Sequence, residues 1–127
     1  MTVNVETFVT HLRSKILPRF GKGLCATHVR EALEAAGAVT AGHPFYAKAY
    51  GPILRLNGFR VVPKVSEDFR AFRKGDIAVM QPTRGKNAGH IQAWDGSNWV
   101  SDFLQPGFWP GPDCRRDEPD YEIYRHL

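Results

Sequence analysis

Helical patterns come first in this chain and strand patterns follow, and this order limits the folds that the chain can adopt. Up to Leu56, apolar residues recur at helical spacing, whereas after Gly58 the chain consists of short β-rich stretches joined by turns. These stretches are "FRVVPKV", "DIAVMQ", "GHIQAW", "NWVSDF" and "YEIYR". Helices followed by a run of short strands predict an α+β fold with an antiparallel sheet.

Three helices are predicted in the first half of the chain. The first has apolar residues on one face and Pro18 at its end: Val5, Phe8, Val9, Leu12 and Ile16. The second begins at Cys25, ends near Gly37 and has its own apolar face: Ala26, Val29, Leu33 and Ala36. The third, Phe45 to Leu56, is a weaker pattern because glycine and proline interrupt it.

Composition limits the classes of protein to consider. The 127 residues are enough for one domain, residues 1–127, with a core of its own. The net charge is +4, but the basic residues are scattered and no nucleic-acid module is present, so we predict no nucleic-acid partner. No apolar stretch approaches the ~20 residues of a membrane span. The first residues lack a signal-peptide pattern, so we expect synthesis in the cytoplasm and any export by another route.

The stretch "GKGLCATHVREALEAAG" puts a thiol in the first turn of a helix. Unpaired N–H groups and the helix dipole favour a thiolate there, so Cys25 is a candidate nucleophile. Gly21 and Gly23 would let a substrate approach closely, which makes Gly23 a candidate cleft residue. The backbone N–H of Cys25 is a candidate oxyanion donor. The alternative is that Cys25 is a small buried apolar residue.

A thiol nucleophile needs a base and a third group that orients the base. His90 begins a predicted strand, and Asp102 lies one hairpin further along the chain. If residues 95–97 form a three-residue loop, His90 and Asp102 are cross-strand neighbours on one face. A loop of two or four residues without a bulge would send Asp102 to the opposite face. The alternatives are a structural histidine and a solvated carboxylate.

The remaining candidates are less specific. Gln105 and Trp109 follow Asp102 and are predicted, with Phe108, to form a cleft wall. Cys25 and His28 form a C-x-x-H pair with no second pair at zinc spacing, so no metal is predicted. "QPGFWPGPDCRRDEP" is predicted as a long loop with no assigned role.

Three motifs in order resemble one known family. "GLCATHVREALEAAG", "KGDIAVM" and "GHIQAWDGSNWVSDF" resemble the cell-wall amidases and endopeptidases of the papain-like superfamily. That superfamily includes CHAP-type hydrolases and the small amidase effectors of bacterial type VI secretion. The likeness spans roughly Gly21 to Gln105.

The resemblance implies a papain-like fold with the cysteine helix packed on the sheet that bears the histidine. It assigns Cys25 as nucleophile, His90 as base and Asp102 as orienting acid, while Gly75 and Asp76 are structural. The implied reaction is amide hydrolysis in the stem peptides or crosslinks of peptidoglycan, with no cofactor and no metal.

The implied setting is an antibacterial effector, secreted into the periplasm of a target cell and blocked by a cognate immunity protein. A Cys25–Cys114 disulfide would silence the nucleophile, so we expect a free Cys114 in the active form. The alternatives are a cysteine protease, deamidase or acyltransferase acting on a protein amide, and an inactive binding module of the same fold.

Overall fold

The computed structural model describes residues 3–17 and 23–126. Its four α-helices are α1 (Val5–Ser14), α2 (Cys25–Ala35), α3 (Gly51–Leu56) and α4 (Pro112–Asp117). Its five strands are β1 (Phe59–Val61), β2 (Ile77–Met80), β3 (His90–Trp94), β4 (Trp99–Val100) and β5 (Tyr121–His126). The α+β expectation is confirmed.

The strands form one sheet in the order β1-β5-β2-β3-β4, and every neighbouring pair is antiparallel. All four residues of β2 are buried, because both faces of the sheet are covered near its centre. One face packs against α1 and α2 through residues such as Phe8, Leu12, Leu33 and Ile91. The other face carries a smaller apolar cluster, rich in aromatic side chains: Trp94, Trp99, Phe69, Phe72, Phe108 and Tyr121.

The two N-terminal helices follow the predicted apolar faces. In α1 the buried residues are Phe8, Val9 and Leu12, and Asn4 caps its first turn by accepting from the Thr7 N–H at 3.0 Å. In α2 the buried residues are Val29, Ala32 and Leu33. Pro18 and Gly21, which the sequence suggested as a helix end and a loop glycine, lie outside the described residues.

The weak helix predicted for Phe45 to Leu56, which glycine and proline interrupt, is divided into two pieces. A single 3-10 turn, Ala47–Ala49, precedes α3, which begins only at Gly51. Pro52 explains the break, because proline lacks the N–H that would continue a helix and fits only in a first turn. The region predicted as a long loop contains the short helix α4, which also begins with a proline, Pro112.

Among the described residues, no helix has the length and apolar character needed to cross a bilayer.

Candidate active site

Cys25 is the first residue of α2, as the sequence predicted. The residue before it, Leu24, provides no side-chain cap, so the first-turn N–H groups of α2 are left for other partners. The N–H of Leu24 itself donates to Oδ2 of Asp102 at 3.1 Å. The thiol of Cys25 is free and partly exposed. A charged side chain distant in sequence therefore anchors the segment that presents the thiol.

The electrostatic environment of Cys25 differs from the expectation for a helix N-terminus. Burial raises the pKa of the Cys25 thiol above its ordinary value, and the carboxylate of Asp102 raises the pKa further. The backbone N–H groups of Ile91, Ala26 and Cys25 itself favour the thiolate; the Ile91 N–H acts more strongly than Asp102 but less strongly than burial. The expected lowering of the thiol pKa is therefore wrong for this arrangement, because desolvation outweighs the helix N-terminus.

His90 begins β3 opposite Met80 on β2. Gly89, just before it, has φ +71°, and a Cβ there would collide with the carbonyl oxygen of Met80 and with Lys48. Glycine is thus required where the chain enters β3. Burial lowers the pKa of His90, while Gln105 and Asp102 act in the opposite direction. The imidazole is consequently neutral near pH 7.

Gln105 is the hydrogen-bond partner of His90. Its Oε1 lies 2.9 Å from Nε2 of His90, and its side chain is buried, with the residue only 2% exposed. Its Nε2 donates to Oε1 of Gln92 at 2.8 Å and to the carbonyl oxygens of Gly107 at 3.2 Å and Phe108 at 3.4 Å. Because the amide nitrogen faces three acceptors, the amide oxygen faces His90. His90 Nε2 therefore carries the proton, and Nδ1 is the basic nitrogen.

The hairpin between β3 and β4 adopts the four-residue alternative and not the three-residue loop. Its loop has four residues, since Trp94 pairs with Trp99 and Ala93 with Val100. Oδ1 of Asp95 holds this loop by accepting from two backbone N–H groups, at 2.8 Å from Ser97 and 2.6 Å from Asn98. The cross-strand pairing of His90 with Asp102, which required a three-residue loop, is therefore not formed.

Asp102 nevertheless reaches the same place as Cys25 and His90. Strand β4 ends at Val100, and the chain then turns, with the N–H of Ser101 donating to the carbonyl of Phe103 at 3.1 Å. The alternation of faces along a strand consequently does not extend to Asp102. Its carboxylate is buried, with the residue 2% exposed, and it influences the pKa of both Cys25 and His90.

Cys25, His90 and Asp102 line one cavity of about 820 Å³. Gly23 also lines it. Gln105 and Trp109 are not among the described residues that line it: Gln105 lies behind His90, and the ring of Trp109 packs against Phe108 and Tyr121.

Two further segments form the rest of the cavity wall. One is the β2–β3 connection, through Gln81, Thr83, Lys86, Ala88 and Gly89. The other is the segment to which the sequence assigned no role, through Pro106, Pro110, Gly111, Pro112, Asp113, Cys114 and Arg115. Cys114 is a free thiol on the same cavity as Cys25. No local pattern in the sequence indicated this wall, because it forms only where separate segments meet.

The chemistry available in the cavity is that of a thiol, an imidazole and a carboxylate. Among residues 3–17 and 23–126, no group of three or more His, Cys, Asp or Glu side chains could hold a metal ion. In general, a thiol can attack a carbonyl carbon and a neutral imidazole can accept a proton.

Comparison with known proteins identifies relatives among solved structures. No protein-family profile matches the chain, and no curated protein matches it. The native type VI effector–immunity complex Tae3–Tai3 from Ralstonia pickettii contains a chain 37% identical over 98% of this chain and 99% of its own length, with a TM-score of 0.85. The selenomethionine form of that complex gives 38% identity over 94% of this chain and 99% of its own, with a TM-score of 0.81. At this identity and coverage, the chain belongs to the Tae3 family of type VI effectors.

Proposed function

We propose that the protein is an antibacterial effector that hydrolyses amide bonds in the stem peptides or crosslinks of peptidoglycan. One observation carries this proposal: Cys25, His90 and Asp102, from three separate segments, line a single cavity in a chain of a type VI effector family. The cavity, about 820 Å³, is large enough for several residues of a peptide. We assign the fold to the papain-like superfamily, since a cysteine helix packs on a sheet that bears the histidine.

In this proposal Cys25 is the nucleophile and His90 the general base. Sγ attacks the amide carbon while Nδ1 of His90 takes the thiol proton, and the first-turn N–H of Cys25 is the candidate donor to the oxyanion. His90 then protonates the amine, the C–N bond breaks, and a thioester remains on Cys25. His90 next accepts a proton from water, the hydroxide adds to the thioester carbon, and the C–S bond breaks as Cys25 regains its proton.

The raised thiol pKa and the lowered imidazole pKa determine when the first proton moves. Both shifts favour a neutral thiol beside a neutral imidazole over a preformed ion pair. The proton therefore leaves Cys25 during attack on the substrate and not before substrate binds. His90 is then transiently cationic, and the carboxylate of Asp102 stabilises that state electrostatically.

Gln105 is the residue that we propose orients His90, in place of the orienting role first assigned to Asp102. Its amide oxygen accepts a hydrogen bond from Nε2–H, with Oε1 and Nε2 2.9 Å apart, and so leaves Nδ1 free to act as the base. Asp102 retains two roles: it supports the cationic imidazole and anchors the N–H of Leu24, immediately before the nucleophile.

The test is mass spectrometry of purified sacculi incubated with the wild-type protein and with the Cys25→Ala variant. We expect new muropeptide fragments with the wild type and none with the variant, and the fragment masses identify the bond. Cys114→Ala is the matched control, because it removes a thiol from the same cavity and should leave hydrolysis intact. Release of fragments by Cys25→Ala would contradict the mechanism. Hydrolysis of casein without hydrolysis of sacculi would assign the site to protein amides instead.

We further propose that the protein is delivered to the periplasm of a target cell and that a cognate immunity protein inhibits it there. The support is the solved complex, in which the relative is an effector bound to an immunity protein. The proposal requires that bacteria exporting the chain to their periplasm stop growing. It also requires that the immunity protein restore their growth.

A further inference from the structure

Two cations at the mouth of the cavity have no ion-pair partner among the described residues. Lys86 comes from the β2–β3 connection and Arg115 from α4, and both side chains line the same cavity as Cys25. Both residues are exposed. Neighbouring charges are already engaged: Asp113 lies 3.7 Å from Arg116, and Asp117 binds Arg84 and Arg116.

A bidentate ion pair joins the two segments that carry these cations. Nε and one terminal nitrogen of Arg84 donate to Oδ1 of Asp117 at 3.1 and 3.0 Å, and the Arg84 N–H donates to Oδ2 at 2.9 Å. The hydrogen bonds from Arg116 and Arg84 hold the pKa of Asp117 far below its usual range. We call this contact the Arg84–Asp117 clamp. It keeps its charge throughout the neutral pH range.

The clamp limits how far apart the backbones of Lys86 and Arg115 can lie. Lys86 is two residues beyond Arg84, and Arg115 is two residues before Asp117. Two residues of chain span at most about 7 Å, so the Cα atom of each cation lies within about 7 Å of the Cα atom of a clamp residue. Their long, flexible side chains can converge on one bound group.

Charged residues of both signs line the cavity. They are the cations Lys86 and Arg115 and the carboxylates Asp102 and Asp113. Asp102 is buried and accepts from the Leu24 N–H, and Asp113 lies 3.7 Å from Arg116, so both carboxylates have partners of their own. Lys86 and Arg115 are thus the charges of the cavity wall that are left for a ligand, and a ligand that pairs with them is an anion.

We infer that Lys86 and Arg115 bind a free carboxylate of the peptide whose amide bond Cys25 attacks. This inference rests on the proposed function and specifies its substrate as an acidic peptide. The guanidinium of Arg115 matches a carboxylate in a two-point contact, and the ammonium of Lys86 adds a point charge. The two residues determine specificity and do not act on the scissile bond.

The test compares a defined peptidoglycan stem peptide with the same peptide whose carboxylates are converted to carboxamides. For the acidic peptide, we expect the Lys86→Ala/Arg115→Ala variant to raise KM about tenfold or more while kcat changes less than about twofold. For the carboxamide peptide, the wild type and the variant should have the same, raised KM. The charge-matched control is Lys15→Ala/Arg60→Ala, two exposed cations away from the cavity, which should leave both KM values unchanged.

A binding measurement separates this inference from the proposed function. Calorimetry with the Cys25→Ala protein should give weaker binding of the carboxamide peptide than of the acidic peptide, and the two added substitutions should abolish that difference. Equal binding of the two peptides, or an unchanged difference after Lys86 and Arg115 are removed, overturns the inference whether or not hydrolysis occurs. Hydrolysis of both peptides with equal KM would also overturn it while leaving the proposed function intact.

Discussion

Cys25 and His90 are both neutral in the free protein, because burial disfavours the charged form of each. The thiol has its pKa raised and the imidazole has its pKa lowered, so over a wide pH range the thiol keeps its proton and the imidazole stays neutral. This neutral pair can perform the proposed attack. Adding a proton to His90 removes the base, and removing the proton from Cys25 removes the acid that the leaving amine needs.

The two shifted pKa values predict how activity depends on pH. We expect kcat/KM to stay constant from about pH 6.5 to about pH 9, since the His90 pKa lies below the first value and the Cys25 pKa above the second. Activity should fall below this window as His90 is protonated, and fall above it as Cys25 ionises. Absorbance at 240 nm, taken as wild type minus Cys25→Ala, should show the thiolate only above the window. A thiolate signal at pH 7 would mean that an ion pair exists before substrate binds.

The Gln105→Glu variant should change the part of the pH profile that depends on His90. A carboxylate beside Nε2 favours the imidazolium, so the lower limit of activity should move to higher pH by about one unit. Asn98→Asp adds the same charge at an exposed position of the hairpin loop and should leave the profile unchanged. An unshifted profile for Gln105→Glu, in protein shown to be folded, would contradict the orienting role of Gln105.

The central strands are joined by a buried ion pair, which is the main polar contact at the level of the elements. Nε and a terminal nitrogen of Arg125 on β5 donate to Oδ1 and Oδ2 of Asp76 at 2.9 and 2.7 Å, and Asp76 is 1% exposed. Gly75, just before it, has φ +93°, and a Cβ there would lie 2.5 Å from Cγ1 of Val5 in α1. The "GD" of the sequence thus holds β2 against β5 and lets α1 pack closely.

A prediction for stability follows from this ion pair. Asp76→Ala should lower the free energy of unfolding by about 3–5 kcal/mol, because it leaves a buried arginine charge without its partner. Asp76→Asn/Arg125→Met should recover part of that loss, since no isolated charge remains and the Arg73 N–H keeps an acceptor. Lys74→Ala breaks the exposed pair with Glu6 and should cost no more than about 1 kcal/mol. Urea denaturation measures all three; equal losses for Asp76→Ala and Lys74→Ala would contradict the assignment.

For the molecule as a whole, the helical layer and the central sheet supply the reacting pair, whereas irregular segments supply the cavity wall. Cys25 lies on the edge of the helical layer and His90 at the end of a sheet strand. The β2–β3 connection and the segment that contains α4 complete the cavity, and the Arg84–Asp117 clamp joins them. A rigid support with variable walls is typical of sites whose specificity is set by loops.

The proposed function also predicts where in a cell the protein is toxic. A bacterial host that exports the chain to its periplasm should stop growing, because the proposed substrate lies there, whereas expression without an export signal should be tolerated. Cys25→Ala with the same export signal is the control and should be harmless. Co-export of the cognate immunity protein should restore growth. Equal toxicity of the wild type and Cys25→Ala would contradict killing by hydrolysis.

Local patterns were enough to predict the α+β class, the position of Cys25 at a helix start and of His90 at a strand start. Periodicity and capping depend on residues a few positions apart, so they can be read without the fold. The third predicted helix is divided before Gly51, because Pro52 fits only in the first turn of a helix. The length of the hairpin loop stayed open in the sequence, and the hydrogen bonds that Asp95 accepts from Ser97 and Asn98 hold the four-residue loop.

The sequence by itself determined the two N-terminal helices, the order of helices and strands, and which residues could react. Only the tertiary structure decided that Gln105 contacts His90, that Asp102 faces the cavity in spite of the register, and that Lys86 and Arg115 share its mouth. The bond from Leu24 to Asp102 spans 78 positions of the chain. Contacts of that range depend on how every intervening turn directs the chain. Burial shifts the pKa values of Cys25 and His90, and it exists only once those turns have brought the segments together.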